Sequence, residues 1–458
     1  MKLLLPVLLL TVFSLKPSTA ATFAFPQIVS KNAYMLYGQA LEAIFTMGLR
    51  LQAIMDTSTD ENFVVSPLST TAIIAQMLIG ADGEFREQLH NLLSLPVSTS
   101  SFNVTHYSKN GNESQILPYA TFHLQLAILI KNLRQRKPGE QFTLNLDNAL
   151  FYNEHIDLRN VFAASLKKMY NTEVAALDFR TDTRSIINNW ASDHTNGLIK
   201  SFLSNRLPPN TASLFLNSIY FLAEWETAFA DFLNNEDNFQ VNPTTSVNTT
   251  FMMGNILDIP FTETKDYRLV CLPYKNREVG MYIISPNINH EHKYNIKKFA
   301  ESINPQEILK SLNNMKPHDV TVKIPKLSLS NSLSILKPLQ RYTVFEKVNR
   351  PKQQNTNSID DIVNKVQDFK NFTVPMHEDI YLENASKDTP LRVSDIIQQM
   401  VFSINEKGTE AAAVSGGITD YMGGAKTLIL NRPFSFFIRH EETQAVIFWG
   451  TISNPTKN

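Results

Sequence analysis

The feature that most limits what this chain can become lies near its C-terminus. A strand candidate at 396–404 is followed by residues 411–425, where small side chains dominate and glycine stands at 416, 417, 423 and 424. Three apolar segments come after it, at 427–430, 434–438 and 445–452. A Gly/Ala-rich stretch between buried strands reads as an exposed loop. The fold must therefore carry a long loop on a body whose last strands are internal. That body has to be large. The chain has 458 residues and one cysteine, Cys271, so no internal disulfide can hold it. Cys271 sits in the apolar run 269–272 and reads as a packed small residue rather than a reactive thiol.

The N-terminus carries the marks of export. Lys2 precedes an apolar run over 3–15, and Ser18-Thr19-Ala20 offers small residues for a signal peptidase, so residues 1–20 read as a signal peptide and 21–458 as the mature domain. The apolar run is too short for a membrane span. Five Asn-x-Ser/Thr sequons, at Asn103, Asn112, Asn248, Asn371 and Asn384, agree with a secreted glycoprotein. The net charge of -1 supplies no field that would draw the chain to nucleic acid or to a membrane.

Periodicity mixes helices and strands. Leu41, Ile44, Phe45, Gly48 and Leu49 share one helical face. A short strand over 63–65 stops at Ser66-Pro67, and a helix is expected from about 69 to 79. Residues 100–118 read as a polar loop with two sequons. Phe142, Leu144 and Leu146 alternate as a strand, and Phe162, Met169 and Tyr170 repeat as a helix. The run 214–222 is nearly all apolar, as in a strand buried on both faces. Segments 268–272 and 279–285 can pair as a hairpin around Lys275-Asn276-Arg277, and Val320, Val322 and Ile324 mark a further strand. Residues from about 350 to 388 read as an insertion: a Pro/Gln/Asn-rich loop over 349–357, then a short helix capped by Ser358.

Conventional catalytic motifs are missing. There is no Gly-x-Ser-x-Gly elbow, no phosphate-binding Gly-x4-Gly-Lys-Ser/Thr loop and no His-Glu-x-x-His helix. His290 and His292 could be imagined as metal ligands, but they read as part of a polar surface loop. No enzyme, no metal and no cofactor is expected.

Other segments are recognisable. Asn62-Phe63-Val64-Val65-Ser66-Pro67-Leu68-Ser69, Ile187-Asn188-Asn189-Trp190 and Leu216-Asn217-Ser218-Ile219-Tyr220-Phe221 with Trp225 occur in that order. They are followed by Asn405-Glu406-Lys407-Gly408-Thr409-Glu410-Ala411-Ala412-Ala413, by Asn431-Arg432-Pro433-Phe434 and by Phe448-Trp449-Gly450-Thr451. Together they resemble the serpin family over about 40 to 455. The resemblance implies one α+β domain of about nine helices and three β-sheets, with a reactive-centre loop over about 406–430 above a large central sheet. It implies a monomeric, secreted inhibitor of invertebrate type, a group that often restrains immune and developmental protease cascades. It also implies a suicide mechanism: a serine protease cuts the loop, an acyl-enzyme forms, and the loop inserts into the sheet before deacylation.

Residue roles follow from the same resemblance. Ser66, Pro67, Ser69, Asn188, Trp225 and Gln398 correspond to shutter and breach positions. Gln398 stands where many members have histidine, and its amide can still donate and accept. Glu406, Gly408, Thr409, Glu410, Ala411, Ala412 and Ala413 form the loop hinge. Thr409, Ala411, Ala413 and Ser415 share one face of an extended strand and are all small, so they can be buried on insertion. Family spacing measured forward from Gly408 and backward from Pro433 places the cut between Met422 and Gly423 in both cases. Met422 suits an elastase- or chymotrypsin-like enzyme. Tyr421 is the neighbouring alternative, and Lys426 would suit a trypsin-like one. Lys131, Arg134, Arg136 and Lys137 resemble a glycosaminoglycan-binding helix end, although cations before Pro138 also suit an ordinary helix C-terminus. The competing function is that of a non-inhibitory relative: a carrier, storage protein or chaperone. Such members tend to have bulky or charged residues where this hinge has Thr409 and alanines.

Overall fold

The computed structural model describes residues 31–55, 61–96, 101–108, 111–135, 139, 141–195, 197, 199, 202–303, 305–341, 380–409 and 426–457. The expected signal peptide, the cut site and the larger part of the expected insertion lie outside them.

The helices among the described residues are α1 (Lys31–Ile54), α2 (Pro67–Gly80), α3 (Gly83–Leu92), α4 (Ala120–Arg134), α5 (Asn160–Tyr170), α6 (Arg184–His194), α7 (Ile296–Ser302), α8 (Pro305–Asn313) and α9 (Leu336–Arg341). The strands of the first half are β1 (Phe63–Val65), β2 (Ser101–Ser108), β3 (Gly111–Pro118), β4 (Phe142–Asn153), β5 (Glu173–Leu177), β6 (Ser213–Glu224), β7 (Asn235–Asn242), β8 (Thr245–Glu263), β9 (Tyr267–Pro273) and β10 (Val279–Pro286). Those of the second half are β11 (Lys316–Pro325), β12 (Leu327–Ser334), β13 (Ile380–Leu382), β14 (Leu391–Val393), β15 (Asp395–Ile404), β16 (Gly408–Thr409), β17 (Lys426–Ile429), β18 (Phe434–His440) and β19 (Val446–Ile452).

The central sheet has six strands in the order β12-β15-β6-β4-β5, with β16 attached to β6. A nine-stranded sheet contains the other two expected sheets. Its halves β1-β19-β18-β10-β9 and β11-β17 with β7 are joined by the long strand β8. The fold is thus the single α+β serpin-like architecture expected from the resemblance.

The two faces of the central sheet are both covered, which explains why β6 reads as an almost unbroken apolar run. On one face Phe215, Ile219 and Phe221 join the main core with α2. On the other, Leu214, Leu216 and Ile397 meet Ile187 and Trp190 of α6. Helix α2 is buried along its whole length. Ser66 caps it with a side-chain oxygen that accepts from Ser69 N–H, and Pro67 sits in its first turn, where its missing N–H costs nothing. Each buried Leu or Ile of such a helix contributes about 1.5–3 kcal/mol relative to exposure.

One expectation fails outright. Residues 101–118 are not a polar loop but the antiparallel hairpin β2–β3, with Phe102 opposite Leu117 and Tyr107 opposite Asn112. The hairpin packs against α5, and Leu117 is buried in the core. Its strands hold Phe, Val, Thr and Tyr among many polar residues, so β-propensity is present while apolar alternation is weak. The hairpin around 275–277 forms as expected, between β9 and β10. Within the expected insertion, residues 380–388 belong to the described structure. Ile380 to Leu382 pairs with β14, and Leu382 and Ala385 are buried in the core.

Candidate functional site

The candidate site is the line along which β6 and β15 lie side by side. They run parallel, with Asp395 to Val401 opposite Leu214 to Tyr220. A buried polar network crosses this line. Gln398 Oε1 accepts from Ser66 N–H at 2.6 Å, and Gln398 Nε2 donates to Ser66 O at 3.4 Å and Asn217 Oδ1 at 3.3 Å. Asn217 Nδ2 in turn donates to Asp147 O at 3.1 Å and Asn148 Oδ1 at 3.0 Å. Ser66, Ser69, Asn217 and Gln398 are completely buried. A glutamine therefore serves where a histidine was the familiar residue, because its amide supplies a donor and an acceptor without a titratable ring.

Asn148 and Asn217 were missed as site residues. The one available signal was the polar pair Asn217-Ser218 interrupting an apolar run. Asn188, grouped with the shutter on resemblance, stands elsewhere. From α6 it donates to Leu203 O at 3.2 Å and accepts from Leu203 N–H at 2.7 Å. It anchors the 203 segment beside the second core and makes no bond to Gln398 or Ser66, because α6 packs on the opposite face of the sheet.

At the upper end of the same line two of the expected hinge residues are paired with β6. Gly408 and Thr409 form β16 and pair antiparallel with Glu224 and Ala223. Ala223 is also paired with Phe142 of β4, so β16 occupies the edge of β6 that faces β15. Gly408 has φ +149°, and a Cβ there would fall 2.1 Å from Ala223 O; only glycine fits. Thr409 is wholly buried, and its Oγ1 lies 2.9 Å from the Tyr274 hydroxyl. Burial pushes the Tyr274 phenol above its ordinary range, with the Thr409 hydrogen bond opposing the shift. Trp225 stacks on Tyr274 at 4.4 Å between centroids, and its Nε1 donates to Asn405 O at 3.0 Å.

Glu406 is clasped by Lys326 Nζ at 2.6 Å and by the Asn234 amide. Burial works to raise its carboxyl, but the Lys326 hydrogen bond, a backbone bond and Asn234 together hold it below the glutamate value of 4.5. A depressed carboxyl stabilises the fold above pH 4.5 and stops doing so as pH falls through its folded value. Trp225 fluorescence is therefore expected to be flat from pH 8 to about 5 and to change in more acid solution as the clasp opens. An unchanged signal down to pH 3 would show that the clasp does not hold this region.

The family model described as "Serpin (serine protease inhibitor)" matches residues 42–455. The chain is a serpin. It is 25% identical over 404 residues to the leukocyte elastase inhibitor of Bos taurus, an alignment that covers 86% of this chain and 93% of the relative. It is 26% identical over 409 residues to the leukocyte elastase inhibitor of Xenopus tropicalis, covering 88% and 95%. Among solved structures, human thyroxine-binding globulin in complex with thyroxine superposes with a TM-score of 0.70 at 20% identity, covering 92% of this chain and all of the other. Human glycosylated kallistatin gives 0.68 at 21%, covering 93% and 98%. Serpins are protease inhibitors rather than proteases, and both of these curated relatives are named as elastase inhibitors.

The remaining expected positions of this serpin fall as follows. Glu410, Ala411, Ala412, Ala413, Met422 and Gly423 lie outside the described residues. The chain is described again at β17, which pairs parallel with β11. Lys131 is exposed on α4, whereas Arg134 is tied to Asp147 at 2.7 Å; Arg136 and Lys137 lie outside the described residues. Asn103 and Asn112 fall on β2 and β3, Asn248 is exposed on β8, and Asn384 is half-buried; Asn371 lies outside the described residues. Cys271 is buried, and desolvation pushes its thiol up, away from reactivity. His290 Nδ1 accepts from His292 N–H at 3.1 Å, and no set of metal-binding side chains is gathered among the described residues. Also among these residues, no helix is long and apolar enough to cross a membrane.

Proposed function

We propose that this serpin is a secreted suicide-substrate inhibitor of an elastase- or chymotrypsin-like serine protease. The observation that carries the reading is β16. It enters the seam between β6 and β15 and runs antiparallel to β6, the direction an inserted loop strand would keep. The small inward residues beyond Thr409, at 411, 413 and 415, could follow it without burying a charge. The inhibitor names of the relatives support the class of target.

Incubation with elastase, chymotrypsin and trypsin tests both class and bond. A complex that survives SDS is expected with one of the first two, together with a released peptide beginning at Gly423. A peptide beginning at Thr427 would move the cut to Lys426 and the target to the trypsin class. Cleavage without complex, or no cleavage by any enzyme, would favour the carrier reading. Oxidation of Met422 to the sulfoxide makes the contact side chain polar and is expected to weaken inhibition.

Glycan placement has its own test. Asn248 is exposed, its amide donating to Glu236 at the surface, whereas Asn384 is half-buried with its amide donating to Ala81 O at 3.5 Å. Mass spectrometry of protein expressed in a secretory host should find a glycan on Asn248 and little on Asn384. The reverse pattern would contradict this ranking.

A further inference from the structure

A cavity of about 540 Å³ opens between α5, β4 and β5, with His194 of α6 at its wall. Its size is in the range that takes a small organic ligand. Asn148 lines it from β4 and is 2% exposed. The Asn148 Oδ1 is used by Asn217, but its Nδ2, a buried donor, has no hydrogen-bond partner among the described residues. An unmet buried donor costs about 1–3 kcal/mol, so an acceptor placed there would be favoured.

The other walls say what kind of molecule would bring that acceptor. Lys167 lines the cavity, is exposed, and has no ion-pair partner among the described residues. Asp147 also lines it, but its charge is answered by Arg134. Glu173 is exposed at the rim, where solvent and salt screen it. Ala163, Ala164 and Val174 supply an apolar wall. We infer that this cavity binds a small organic carboxylate with an apolar body, its carboxylate meeting Asn148 Nδ2 and Lys167, and that occupancy holds β6 and β15 together. The second part follows from the network. Asn148 is the terminal member of the series Ser66, Gln398, Asn217, Asn148, which spans α2, β15, β6 and β4. A ligand that fixes the Asn148 amide favours the arrangement in which the whole series is bonded, and therefore the closed seam. This inference needs no protease and does not depend on the inhibitory reading.

The probes are 4-phenylbutyrate and its neutral amide, titrated calorimetrically into the full chain. The carboxylate is expected to bind with a Kd below about 1 mM, and the amide about tenfold more weakly. Lys167→Met removes the ammonium and Ala164→Leu fills the cavity; each is expected to weaken binding about tenfold or more. Neither touches the buried network, so both variants should fold. Hydrogen exchange in peptides covering 214–220 and 395–401 is expected to slow several-fold with bound carboxylate. Equal binding of acid and amide, or binding that survives both variants, would overturn the site. Binding without slowed exchange at those strands would overturn the link to the seam.

Discussion

If the proposed inhibitory mechanism operates, Thr409→Arg is expected to turn this serpin from an inhibitor into a substrate. Thr409 is wholly buried, paired with Ala223 and hydrogen-bonded to the neutral Tyr274 hydroxyl, which cannot neutralise a guanidinium. Burying an unpaired charge costs several kcal/mol. The arginine will stay out of the seam instead, and β16 will detach from β6. In the proposed mechanism insertion and deacylation compete after cleavage, and each 1.36 kcal/mol added to the insertion barrier would shift that partition tenfold toward deacylation. Yield of SDS-stable complex should therefore fall at least about tenfold while the loop is still cut at the same bond. The informative control is Glu410→Arg. In an inserted strand position 410 would alternate with 409, so a side chain there would fall on the other face, and the variant should still form complex. Equal loss at both positions, or no loss at 409, would rule out insertion led by this face of the hinge.

Gln398→Ala is expected to produce the largest loss of stability. It removes the acceptor for Ser66 N–H and the donor to Asn217 Oδ1, both deep in the sheet. Two buried polar groups are left without these partners, at about 1–3 kcal/mol each, and a cavity is added. A drop of about 2–4 kcal/mol in unfolding free energy is the expected result, read from the urea midpoint. Gln398→His offers a donor and an acceptor on a neutral ring and should recover part of that loss. Its stability should also decline as the medium becomes acid enough to protonate the buried ring, whereas the parent's shutter should not respond. A midpoint for Gln398→Ala equal to the parent's would mean that the network contributes little to holding β15, β6 and α2 together.

The two ends of this seam were legible in sequence to different degrees. Local chemistry announced itself. Ser66-Pro67 was legible as the end of a strand with a helix after it, and the structure starts that helix at Pro67, two residues earlier than expected. The small residues after Gly408 marked a segment able to be buried, whereas the lack of room for a side chain at Gly408 itself came only from the structure. The apolar run of β6 and the strand at 395–404 were visible because burial on two faces leaves few polar residues. The hairpin β2–β3 was not visible, since its pairing is satisfied by backbone and its side chains are largely polar.

Tertiary structure decided what those pieces face. Thr409 meets Tyr274 across 135 residues, and Gln398 meets Ser66 across 332. No periodicity carries information over such separations, because period reports only which face a residue shares with its near neighbours. The same limit misplaced Asn188, whose helix chose the opposite face of the sheet, and hid the tie between Arg134 and Asp147 that removes one cation from the basic end of α4. Sequence alone therefore established a run of small side chains after Gly408, a helix following Ser66-Pro67 and a chain that cannot form an internal disulfide. Only the packed chain could decide that Gly408 and Thr409 pair with β6 on the edge that faces β15, and that a line of buried amides runs from that seam to an Asn148 nitrogen with no partner among the described residues, beside an open cavity, since both depend on strands brought together from distant parts of the chain.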